Sequence, residues 1–123
     1  MIKWFNVKER VGAMSLYQNY LTLNTTAMYP FEDAYRVQVG VDENRQIIIK
    51  PVTKEVVESG VLDEYSLIKI DMRKSFARIS SVALLKSIGE ELRLVLSKTP
   101  IHFQTIWDDK KNILIATTKK GNE

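Results

Sequence analysis

The side chains able to do chemistry are few, and the most concentrated group is basic. Lys69, Arg73, Lys74 and Arg78 put four cations within ten residues, opposed in that stretch by Asp71 alone. With Ser75 and Ser80 they offer the charge and hydroxyl donors that contacts to a phosphate backbone use. Arg78 lies between Ala77 and Ile79. On a strand, that alternation turns the guanidinium away from the apolar face. Lys69, Arg73, Lys74, Ser75 and Arg78 are therefore the candidate nucleic-acid-binding residues. The plainer alternative is a solvated edge, where lysines discourage edge-to-edge pairing.

Other groups point to structure. His102 is the single histidine, so no His cluster exists for a metal or a proton relay, and no Asp or Ser stands at a spacing that would make it a base. Asp42-Glu43 and Asp108-Asp109 are carboxylate pairs of the kind that bind cations or share a proton. Each pair is followed by Arg45 or by Lys110 and Lys111, which reads as a solvated turn. Ser75, Ser80 and Ser81 lack a nucleophile elbow, and helix capping accounts for Ser80 and Ser81. No Gly-rich phosphate loop is present. Trp4, Phe5 and Trp107 have rings that could stack on bases, although aromatic residues of a small domain more often serve core or interface. The expectation is a non-enzyme with no catalytic residue, no metal and no cofactor.

Composition sets the frame for these side chains. A chain of 123 residues, 45% hydrophobic and 27% charged, fits one domain or two small halves sharing a core. Without cysteine there are no disulfides, thiolate metal sites or cysteine nucleophiles. A net charge of +3 permits a nucleic-acid partner without demanding one. No apolar run approaches the roughly 20 residues that span a bilayer. The opening residues mix Trp4 and Phe5 with charges, unlike a signal peptide. The expected setting is cytoplasmic, with no membrane contact.

The elements follow from periodicity and caps. Residues 1–19 read as an N-terminal arm, with Ile2, Trp4 and Phe5 as its partner contact. Leu21 and Leu23 alternate with Thr22 as a strand, and Asn24, Thr25 and Thr26 cap a short helix through Phe31. Tyr35–Val41 and Gln46–Lys50 flank a polar loop as a hairpin, with Pro51 closing it. Thr53 to Gly60 carries a cap and a Gly stop, which suggests a short helix. Tyr65–Ile70 alternates as a strand, and Ser75–Ile79 is a second short extended run. Ser81 then caps a helix whose apolar face is Val82, Leu84, Leu85 and Ile88, stopped by Gly89. Leu92, Leu94 and Leu96 read as another strand. Ile101–Trp107 and Asn112–Thr117 make a second hairpin, and residues 119–123 a disordered tail.

An internal repeat organises the list. Tyr20 to Met28 matches Phe76 to Leu84 in order: aromatic, strand pair, polar caps, Ala, large aliphatic. Tyr35 to Ile49 matches Ile101 to Ile115, with Val37 on Phe103, Asp42 on Asp108 and Ile47-Ile48-Ile49 on Ile113-Leu114-Ile115. Neither half is large enough to close a core alone, and packed together both bury their apolar faces. The expected fold is α+β: one domain over 20–118 built of two similar strand-helix-hairpin repeats, 20–60 and 65–118. They would pack about a pseudo-twofold as an antiparallel β-rich barrel or sandwich.

This order, with the stretch RISSVALLKSIG at its centre, resembles the swapped-hairpin modules of AbrB-like and MraZ-like bacterial proteins. Two modules in tandem look like the MraZ arrangement, over most of Tyr20 to Thr117. The resemblance implies a DNA-binding transcriptional regulator that is often a homo-oligomer. Ser75 and Ser81 stand where those proteins carry the Gly before the first strand and the Pro that opens the helix. Their DNA-reading basic residues are matched here by Lys74 and Arg78. The alternative is a protein-interaction or assembly module that touches no nucleic acid.

Overall fold

Period-two burial makes most of this molecule one sheet. The computed structural model describes residues 1–4 and 11–118. In β1 (Gly12–Leu16), β2 (Tyr20–Asn24) and β6 (Phe76–Ser80) every second residue is buried. Met14, Leu16, Leu21, Leu23, Ala77 and Ile79 have no exposed surface. The remaining strands are β3 (Arg36–Val41), β4 (Ile47–Val52), β5 (Asp71–Met72), β7 (Ile101–Asp108) and β8 (Ile113–Thr118). All eight join one sheet in the order β3-β4-β8-β7-β1-β2-β6-β5. Every neighbouring pair is antiparallel.

Val37 of β3 and Ile68, just ahead of β5, exchange two backbone hydrogen bonds of 2.8 and 2.9 Å. That bridge ties one edge of the sheet to the chain entering the other, so the sheet curls around its apolar side. Phe31, Phe103, Met14 and the buried Leu and Ile residues of five strands and of the helix at Val82–Leu92 fill the concavity. No helix among the described residues is long and apolar enough to cross a membrane. The architecture is thus β-rich α+β.

The short helices start and stop as their caps dictate. Asn24 accepts from the Ala27 N–H to open α1 (Thr25–Met28), and one 3-10 turn carries the chain on through Phe31. Thr53 accepts from the Val56 N–H at the head of α2 (Lys54–Ser59), and Gly60, at φ 74°, ends it. Ser81 accepts from the Leu84 N–H to open α3 (Val82–Leu92). Both hairpins form in the expected places, with Arg45 at φ 62° and Asn112 at φ 58° taking the left-handed position of each loop.

The structure corrects several expectations. Residues 12–19 are not arm: β1 lies between β2 and β7 at the middle of the sheet. Its small residues, Gly12, Ala13 and Ser15, hide a period-two pattern that Met14 and Leu16 complete. Helix α3 does not stop at Gly89 but at Arg93, whose φ of 57° turns the chain so that the Leu94 N–H donates to the Gly89 carbonyl. Gly89 is there for space, since a Cβ on it would sit 3.2 Å from the Leu94 oxygen. Leu92, Leu94 and Leu96 are therefore a helix end and a loop packed on the core, not a strand.

Tyr65–Ile70 is not a strand either. The Asp63 carboxylate accepts from the Tyr65 N–H and closes a 3-10 turn over Glu64–Ser66. Ile68 then meets β3 in the bridge above, and the Ser66 hydroxyl accepts from the Gln38 side-chain amide of β3 at 2.9 Å. The hairpin match also slips by one residue. Ile47 and Ile49 are buried, but on β8 the buried positions are Leu114 and Ala116 rather than Ile113 and Ile115. The reason is loop length: β3 and β4 close at Val41 opposite Ile47, whereas β7 and β8 close one residue tighter, at Asp108 opposite Ile113.

Candidate nucleic-acid interface

With Ala77 and Ile79 inside, Phe76, Arg78 and Ser80 face outward from β6. Strand register then aligns their neighbours. Arg78 stands opposite Thr22 on one side and Asp71 on the other; Thr22 stands opposite Ser15, and Ser15 opposite His102. The outer face of β7-β1-β2-β6-β5 thus carries a continuous row, His102–Ser15–Thr22–Arg78–Asp71. At one end the Ser15 hydroxyl and His102 Nδ1 share a hydrogen bond of 3.0 Å.

Arg78 is the fixed point of this face. Its guanidinium lies 4.8 Å from the centre of the Tyr20 ring and 5.6 Å from that of Phe76. Tyr20 in turn stacks on Tyr17, with centroids 4.5 Å apart and planes 19° from parallel. Rings on a cation replace part of its lost hydration and hold its long side chain in one place. The Nε atom is buried without a hydrogen-bond partner. Among the described residues Arg78 makes no ion pair, although Asp71 lies directly across the strand pair. The Asp71 carboxylate is taken by Arg73, which donates to its Oδ2 from Nη2 at 2.8 Å and Nε at 3.0 Å.

The other basic candidates sit around this centre without a shared geometry. Lys69 and Lys74 are exposed. Ser75 is exposed at the β5–β6 turn, where its backbone carbonyl accepts from the Thr25 hydroxyl and ties the turn to α1. Arg73 is neutralised by its pair. The structure therefore brings Arg73 and Arg78 to either side of Asp71 and leaves the lysines as diffuse charge.

The neighbours that complete the face, Tyr17, Tyr20, Phe76, Ser15, Thr22 and His102, were not among the sequence candidates. The period-two pattern of Tyr20-Thr22 and Phe76-Arg78 signals that they face outward. Only the pairing of strands far apart in sequence shows that they are adjacent.

The remaining candidates have structural work. Trp107 is half-buried, edge-on to Phe31 at 6.0 Å, and no free stacking platform. Asp42 accepts from the Asn44 and Gln46 N–H groups, and Asp108 from those of Lys110 and Lys111, so both loop acids cap turns. No group of three or more His, Asp or Glu able to hold a metal occurs among the described residues. Ile2 and Trp4 are exposed; Phe5 lies outside the described residues. Comparison with protein-family models, curated proteins and solved structures finds no match.

Proposed function

We propose that the chain is a non-enzymatic nucleic-acid-binding protein, a regulator of the AbrB-like kind, that meets phosphates with the outer face of β6 and the turn before it. Arg78 carries this reading. A guanidinium is always charged and forks toward two phosphate oxygens. Here it is held between two rings, while the carboxylate across the strand pair, Asp71, is taken by Arg73. A merely solvated charge has no need of this, because immobilising a long side chain costs rotamer entropy. Lys69 and Lys74 add salt-sensitive attraction, and Ser75 marks the turn beside them.

The reading includes two similar halves, residues 20–60 and 65–118, related by a local twofold. Register supports it. Thr22 stands opposite Arg78, its repeat equivalent, so Leu21 meets Ile79 and Leu23 meets Ala77. Ile48 opposite Ile115 makes a second such meeting, once the one-residue slip in the hairpins is allowed for.

The test is fluorescence anisotropy with labelled duplex and single-stranded oligonucleotides, from about 50 to 200 mM salt. Wild type should bind with a steep salt dependence. Arg78→Ala should weaken binding and lower the log–log slope by about 0.7 to 0.9, the share of a single neutralised phosphate. No salt-sensitive binding to any duplex or single strand ends the reading.

One observation favours a second reading, an assembly module without nucleic acid. Ile106, Ile115 and Ile48 face outward in a row across β7, β8 and β4, ending at Gly40 of β3. Ile106 is 68% exposed. An apolar row on an open sheet face is a contact waiting for a partner, and Ile2 and Trp4 are further exposed apolar side chains. Light scattering decides: this reading needs a wild-type oligomer that Ile106→Lys dissociates.

A further inference from the structure

We propose that the strand taken by the Tyr20–Arg78 face is single, with bases stacking on the outer faces of Tyr17 and Phe76 and the phosphate held by Arg78, while Tyr20, between Tyr17 and Arg78, clamps the guanidinium. This rests on the nucleic-acid reading and narrows it. The first argument is shape. The outward row spans five adjacent strands, β7 to β5. At the usual spacing between strands that is about 19 Å, wider than the roughly 12 Å of a major groove. Ser15 and Thr22 are short side chains at its middle, so the centre of the row does not reach base edges inside a duplex. An outer face of this breadth suits a nucleic acid that brings its bases to the surface.

The second argument is chemistry. Tyr17, Tyr20 and Phe76 are each half-buried. Their rings form one aromatic ribbon with the Arg78 guanidinium set between Tyr20 and Phe76. Aromatic rings beside a cation are what an unpaired strand requires, since each base has a π-face and each linkage a charge. Duplex bases offer no free face to such a ribbon. The Ser15 hydroxyl, the His102 ring and the Thr22 hydroxyl, in line with Arg78, supply neutral hydrogen-bonding groups across the same surface.

The ligand chemistry is shared by single-stranded DNA and RNA. The experiment uses labelled oligothymidylate and oligouridylate of about twelve nucleotides, within the site sizes known for sheet-borne binders, beside a duplex of the same length. Both single strands, or one of them, should bind at least about tenfold tighter than the duplex. Preference for one of the two identifies the sugar the face favours. Tyr17→Ala and Phe76→Ala should each weaken single-strand binding by about tenfold, as loss of one stacked base implies, and Tyr17→Phe should keep it. Far-UV circular dichroism and thermal unfolding check that each variant is folded; were Phe76→Ala unfolded, Tyr17→Ala and Tyr17→Phe still decide. Duplex bound as tightly as single strand overturns this proposal and leaves the broader reading standing. So does single-strand binding that Arg78→Ala weakens and the ring variants do not. Absence of binding to all three probes overturns both.

Discussion

Gly12 is the position where the sheet leaves no room, and replacing it with alanine tests the placement of β1. A Cβ at Gly12 would lie 2.2 Å from the Thr105 Oγ1 on the neighbouring strand β7, with the Ala27 Cβ 3.5 Å away on a second side. Thr105 is 8% exposed, so its side chain must change rotamer inside a packed layer. Overpacking of this kind costs about 1–3 kcal/mol. Gly→Ala also restricts the unfolded chain, which returns about 0.4–1 kcal/mol. The net loss is then at most about 2.6 kcal/mol and centred on about 1.3 kcal/mol, or a Tm lowered by about 4–8 °C at the centre of that range.

The unfolded-state part is independent of Thr105, so a double-mutant cycle removes it. Gly12→Ala, Thr105→Ala and the double variant, measured by urea and thermal unfolding, should show a coupling of about 1–2 kcal/mol, the double variant being more stable than the singles sum to. A Gly12→Ala protein as stable as wild type, with no coupling to Thr105, would falsify the placement of β1 against β7. It would return residues 12–16 to the arm.

Two further outcomes follow from named side chains. Asn24 accepts from the N–H groups of Ala27 and Ala13 and donates to the Val11 carbonyl, each at 3.0 Å, so it pins β1 to β2 while capping α1. Asn24→Ala should cost about 2–3 kcal/mol by urea unfolding, more than a simple cap is worth; a loss under about 0.5 kcal/mol contradicts that triple role. Asp71→Asn releases Arg73 and removes the carboxylate opposite Arg78. It should tighten oligonucleotide binding and steepen its salt dependence, read by the same anisotropy titration; weaker binding would mean that Asp71 positions Arg73 for the ligand rather than shielding it.

Local signals in this chain are legible and distant ones are not. The hairpin loops announce themselves through Asp42 and Asp108, whose carboxylates close turns within a few residues. Thr53 and Gly60 bracket α2 by the same short-range logic, and Ser81 opens α3. Beyond that range the reading fails for identifiable reasons. Gly12, Ala13 and Ser15 are too small to signal a strand, yet β1 needs a glycine at position 12, where a Cβ would meet Thr105 of β7. Gly89 looks like a helix stop, but the helix continues because the left-handed turn is taken by Arg93. The candidate site shows the same division. Arg78 is recognisable as an outward cation from its apolar neighbours alone. Its ring partners are not, because Tyr20 lies 58 residues away in sequence and reaches Arg78 only through the β2–β6 register. Nor does sequence tell that Arg73 claims Asp71 and so divides the basic cluster into a paired arginine and a clamped one.

The most direct measurement is a two-dimensional amide NMR titration of the intact chain with a short single-stranded oligonucleotide. Shifts should concentrate at Ser15, Tyr17, Tyr20, Thr22, Phe76 and Arg78, whose side chains share one outer face, while Ile48, Ile106 and Ile115 stay still. Shifts confined to that isoleucine face, or to α3 and the loop after it, would contradict this placement of the site, as would a spectrum that saturating oligonucleotide leaves unchanged.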